Sequence, residues 1–172
     1  SGCFAAGLFV SSFYTMGPVF CHHINLSVSQ ISYFMTTIVL GGLLLQWPVG
    51  AFSDHFDRSV VIPVVCVLFA VINGLMIVAA QSDFSIFLVT AAVFGGLMFT
   101  IYPSSVARTH DMFEPKDVVN VSSVLLLFFG IGAVIGPVAS STAIAFFDNP
   151  YGFFIFLSGA SAVYALFSFI LR

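Results

Sequence analysis

Charge is what this sequence has least of. Of its 172 residues only 6% are Asp, Glu, Lys or Arg, against 60% hydrophobic residues, and just four are Lys or Arg. A soluble domain carries roughly a quarter charged residues, so this chain cannot cover a water-facing surface. Four cations cannot build a basic face, which excludes nucleic-acid binding. The three cysteines, Cys3, Cys21 and Cys66, are an odd number at spacings that match no disulfide or metal framework. They read as small apolar packing residues. No metal or cofactor is expected. The chain has no H-E-x-x-H, no phosphate-cradling glycine loop and no nucleophile–base constellation, so nothing points to an enzyme. The opening stretch lacks the basic region of a signal peptide. It starts with Ser1 rather than Met, and the chain is expected to be part of a longer protein.

What is present is long apolar runs. A spanning helix needs roughly 20 apolar residues, and six such runs occur, at about 3–21, 31–52, 60–80, 85–107, 118–146 and 153–171. They predict an all-α membrane protein, a single six-helix transmembrane bundle surrounded by lipid. Strands are excluded because their edges would leave backbone polar groups bare in hydrocarbon. The fifth run is too long for a simple span, and a turn at the membrane surface is expected near Val118. With six crossings, Arg58, Arg108, Lys116 and Arg172 all fall on one side. The positive-inside rule then places both termini in the cytoplasm.

Proline divides the runs. Pro18, Pro48, Pro103 and Pro137 lie well inside spans one, two, four and five, where each removes a backbone hydrogen bond and bends the axis. Pro63 is expected in the first turn of span three. The order bent, bent, unbent occurs twice, and "FYTMGP" (Phe13–Pro18) resembles "FTIYP" (Phe99–Pro103). Two inverted three-helix repeats are expected, as transporters are commonly built; chance placement of frequent residues is the competing explanation. Gly132 and Gly136 form a G-x-x-x-G just after Gly130, and Gly41-Gly42 and Gly95-Gly96 are further candidates for close helix approach. Static packing and a bend used during a transport cycle both fit them.

The stretch "GAFSDHFDRS" between spans two and three concentrates the charge. Gly50 and Asp54 are one helical turn apart, and Arg58 follows one turn later. By itself the stretch reads as a solvated turn with an orientation signal. It also resembles the loop signature of the major facilitator superfamily, roughly G-x-L-x-D-R-x-G-R-[RK]. Gly50, Asp54 and Arg58 match; Phe52, His55, Asp57 and Ser59 depart from it. "GAVIGPVASS" in span five is similar to the family's G-x-x-x-G-P motif, through Gly132, Gly136 and Pro137. The degraded loop resembles the carboxyl half of such proteins, of the bacterial inner-membrane type.

That resemblance implies spans seven to twelve of a twelve-helix secondary transporter, working by alternating access against an amino-terminal six-helix half on a small-molecule substrate. It implies a gate-side charge network through Asp54 and Arg58. It also implies that the first and fourth spans line the cavity, the second and fifth meet the other half, and the third and sixth face lipid. Candidate cavity residues are then Ser11, Ser12, Tyr14 and Thr15 in span one and Thr90, Thr100 and Tyr102 in span four. Each Ser or Thr has the competing use of bonding its own helix backbone. Asn73 is expected to bond across helices. All seven acids lie in connectors or at span ends, so this half offers no buried carboxylate proton carrier; His22-His23 at the outer end of span one is the exception, read as a solvated interfacial pair with a part in coupling as the competing use. The rivals are a self-sufficient homodimeric six-span channel or half-transporter, and a non-transporting scaffold or receptor.

Overall fold

The computed structural model describes residues 2–55, 58–113 and 117–170, with side chains outside the description at 49–55, 58 and 59. Six helices follow one another: α1 (Gly2–His23), α2 (Val28–His55), α3 (Arg58–Ala79), α4 (Phe84–His110), α5 (Val118–Phe147) and α6 (Gly152–Ile170). All six are long and apolar enough to cross a membrane, and no strand occurs among the described residues.

The connectors carry the chemistry that ends and starts helices. Ser27 and Gln30 cap α2 reciprocally: the Ser27 N–H donates to Gln30 Oε1 at 2.9 Å and the Gln30 N–H to Ser27 Oγ at 3.3 Å. Asn25 and Asp148 take the left-handed conformation that closes α1 and α5 (φ 61° and 46°), a role these residue types tolerate.

Three local expectations are corrected. α5 is helical from Val118 onward, not a surface turn, and its 30 residues run about 45 Å, beyond a hydrocarbon core of roughly 30 Å. Helical hydrogen bonds are satisfied within the segment, so nothing stops a helix where hydrocarbon ends. α3 begins at Arg58, which puts Pro63 in its second turn rather than its first. Asn73 is fully buried, and its amide donates to the Phe69 carbonyl of its own helix at 2.6 Å, not to a neighbour.

Helix pairing is not sequential. α1 packs chiefly on α5, α2 on α4, and α3 on α6. Exchanging the first three helices with the last three maps the α1–α5 pair onto the α4–α2 pair and leaves α3–α6 unchanged, as an inverted repeat requires.

Glycine makes the first two pairs possible. A Cβ at Gly7 would run into the Phe129 carbonyl of α5, and one at Gly132 into the Phe4 carbonyl of α1. A Cβ at Gly41 would meet the Ala92 carbonyl, and one at Gly95 the Ile38 carbonyl. Both faces of each contact therefore need hydrogen in place of a side chain, the small-residue packing of membrane helices.

The α3–α6 pair is tied by hydroxyls instead. Ser158 Oγ donates to the Ala70 carbonyl at 2.9 Å, and Ser161 Oγ to the Cys66 carbonyl at 2.6 Å.

Phenylalanine fills the middle. Phe9, Phe13, Phe20, Phe34, Phe69, Phe87, Phe94 and Phe154 are all fully buried. Phe13 reaches Phe34 of α2 and Phe94 of α4 with centroids 6.1 and 5.7 Å away, and Phe34 stacks on Phe87 at 4.8 Å. Much of the aromatic content thus faces protein, not lipid. Dispersion between close-packed rings holds helices together where lipid is already apolar.

Candidate functional site

α1 carries a stripe that its neighbours leave uncovered. Tyr14 and Thr15 are exposed and Ser11 is half-buried, while Ser12 and Phe13, on the adjoining face, are buried. The Tyr14 ring is 47% exposed and lies against Phe99 of α4, centroids 6.5 Å apart. Further along α4, the half-buried Tyr102 meets Phe129 of α5 edge-on at 5.1 Å. Two tyrosines and two phenylalanines from α1, α4 and α5 therefore border this side of the bundle. They offer ring faces with two phenolic hydroxyls.

The smaller hydroxyls are largely engaged by their own helices. Thr15 Oγ1 donates to the Ser11 carbonyl at 2.8 Å, Ser11 Oγ to Leu8 at 3.3 Å, and Thr90 Oγ1 to Ile86 at 2.9 Å. Thr100 is placed away from the open side: it is buried, with Oγ1 donating to the Gly96 carbonyl at 2.7 Å. A helix turns 100° per residue, so Thr100 and its neighbour Phe99 cannot share a face. Ser12 Oγ is buried without a partner and borders the space that a Gly136 side chain would occupy.

The second set of predicted residues lies on α5 and α2. Gly132, Gly136 and Ser140 are the buried residues of α5, one turn apart on a single stripe, and that stripe faces α1. A Cβ at Gly136 would meet Ser11 Oγ and the Leu8 carbonyl. Pro137, half-buried, follows directly inside the helix. The rest of α5 is uncovered, including Leu126, Leu127, Val134 and Val138. α2 behaves alike: Phe34, Ile38, Gly41 and Gly42 are buried, while Leu40, Leu43, Leu44 and Trp47 are exposed and Pro48 is half-buried. Of the loop signature, Gly50 and Asp54 fall near the end of α2 and Arg58 opens α3; their side chains lie outside the described residues, as do Asp57, Glu114, Lys116 and Arg172.

Phe99 and Phe129 are the bordering residues that sequence reasoning missed. Nothing in the sequence separates them from the buried phenylalanines, because both kinds sit in uniformly apolar helices.

The Major Facilitator Superfamily model matches residues 1–172, the whole chain. The chain belongs to this superfamily. It is similar to the uncharacterized MFS-type transporter YcaD of Escherichia coli O17:K52:H18, with 32% identity over 169 residues. To the protein of that name in Shigella flexneri serotype 5b it is 30% identical over 166 residues. In both cases 96% of this chain is covered and 42% of the relative, so the chain spans less than half the length of the relatives it matches. A major facilitator assignment makes it an integral membrane protein of a transport family, and its six helices fit half of the superfamily's fold.

Proposed function

We propose that this chain is the carboxyl-terminal half of a twelve-helix secondary transporter, which moves a small solute by rocking against an amino-terminal six-helix half. The observation that carries this reading is the narrow burial of α5, confined to Gly132, Gly136 and Ser140. With one face of α2 also open, at Leu40, Leu43, Leu44 and Trp47, two helices that are exchanged by the internal repeat both present faces for another bundle. The length of the relatives leaves room for a second bundle of similar size. Both termini face the cytoplasm of a bacterial inner membrane, on the strength of the positions of the four cations.

The substrate would meet Tyr14, Phe99, Tyr102 and Phe129, a border suited to an amphipathic or aromatic solute. Asp54 and Arg58 would form the cytoplasmic gate with residues of the other half. A proton-coupled cycle would draw its carrier from that half, because no acid lies inside a span here.

The test is flux of amphipathic aromatic cations, anions and neutral solutes into proteoliposomes holding the full-length chain. Gradient-dependent flux that Tyr14→Ala abolishes supports the reading. No flux for any solute class favours a scaffold or receptor. Flux from this six-helix chain alone, as a stable dimer, favours a homodimeric half-transporter whose second copy covers α2 and α5.

A further inference from the structure

One end of the bundle holds a second site, unrelated to the open face. The start of α1, the first turns of α3 and the ends of α4 and α6 converge there around a cavity of about 200 Å³. Its polar border is Gly2, Ser105, Arg108, Thr109, Tyr164 and Ser168. Gly2 keeps it open: a Cβ there would strike Ser105 Oγ and the Tyr164 hydroxyl.

The chemistry is one-sided. Ser105 and Ser168 are each 5% exposed, and neither hydroxyl has a hydrogen-bond partner. Buried hydroxyls are normally paired, and these two come from different helices, α4 and α6, onto one cavity. Arg108 brings a permanent positive charge with up to five donors. Among the described residues no acidic side chain borders the cavity; Asp111, one turn past Arg108, is exposed and is not part of its lining. Thr109 has already committed its proton to the Ser105 carbonyl at 2.8 Å. Among the described residues, a guanidinium and two hydroxyl donors remain to act, the set that suits an oxyanion with several acceptor oxygens. The cavity also lies at the bundle end where α4 finishes after Arg108 and α3 begins at Arg58, the end that the positive-inside rule would set near lipid phosphates.

We propose that this cavity binds a phosphate group, with Arg108 as its counter-ion and Ser105 and Ser168 as neutral donors. The phosphate is a lipid headgroup or a free anion, since both present the same oxygens. None of these residues belongs to the open face, so the site stands or falls independently of transport.

The experiment is thermal unfolding of the full-length protein in a neutral detergent. The probes are phosphatidylglycerol and inorganic phosphate; the controls are diacylglycerol, which has the same tails without the phosphate, and chloride at equal ionic strength. A saturating ligand is expected to raise the midpoint by about 3 °C. A rise with phosphatidylglycerol alone assigns the site to a headgroup, and a rise with inorganic phosphate assigns it to the anion itself. Arg108→Gln is expected to abolish the rise and Ser168→Ala to reduce it, each against its own baseline. The proposal is overturned if neither probe exceeds its control, or if Arg108→Gln keeps the full rise.

Discussion

Ser161 of α6 donates its hydroxyl to the carbonyl oxygen of Cys66 in α3 across 2.6 Å, and Ser158, one turn earlier, does the same to Ala70. Hydrogen bonds between membrane helices contribute about 0.6 kcal/mol on average. Ser158→Ala and Ser161→Ala are each expected to lower the free energy of unfolding by about that amount, and the double variant by close to twice as much. Unfolding in mixed detergent micelles measures it. A double variant as stable as the parent would mean that shape alone holds α6 to α3.

Two glycines on one helix face opposite fates. Gly132 abuts the Phe4 carbonyl, whereas Gly130 has nothing within 4 Å of an added Cβ. Gly132→Ala must push α1 and α5 apart and is expected to cost about 1–3 kcal/mol. Gly130→Ala is expected to be neutral or to stabilise by up to about 1 kcal/mol, the helix propensity difference. Melting the two variants side by side decides it, and equal effects would contradict the close approach of α1 to α5.

Neighbouring aromatics on α1 separate stability from activity. Phe13 is fully buried while Tyr14 is 47% exposed. Phe13→Ala is expected to lose about 3 kcal/mol of stability, the low end for this change because lipid rather than water is the competing solvent. Tyr14→Ala is expected to leave the melting midpoint nearly unchanged and to remove solute flux. The paired readouts are thermal unfolding and proteoliposome uptake. Flux that survives Tyr14→Ala would take Tyr14 out of the substrate path.

Membrane orientation is open to thiol labelling, because Cys3, Cys21 and Cys66 are all buried and the unsubstituted full-length protein serves as the background control. Gln81, Asn149 and Met112 are exposed in connectors. An impermeant maleimide is expected to label Gln81→Cys and Asn149→Cys in intact cells, and Met112→Cys only in inverted vesicles. The reverse pattern would invert the topology read from the cations.

How much of this was legible in sequence differs by kind of feature. Six helices followed from hydropathy alone, since lipid permits few alternatives. Their ends did not: α2 and α4 extend three residues past the apolar runs, to His55 and His110, because helix hydrogen bonding continues where hydrocarbon stops. Gly41, Gly95 and Gly132 announced close approach, and each indeed abuts a neighbouring backbone, but nothing in a glycine says which helix will come close. The cavity candidates were legible only as residue types. Whether a hydroxyl such as that of Thr100 turns outward or bonds its own Gly96 carbonyl depends on rotation of the helix, which a uniformly apolar sequence leaves unmarked.

The pairing of Gly7 with α5 also sets a timetable. Of these six helices α1 is made first and α5 fifth, and more than a hundred residues separate Gly7 from Gly132. With ribosomes adding roughly 5–20 residues per second, the partner follows on the order of ten seconds later. During that interval α1 stands in the bilayer with its glycine face unmatched. A nascent chain stalled before α5 would leave the glycine face of α1 without the helix that closes on it in the folded bundle.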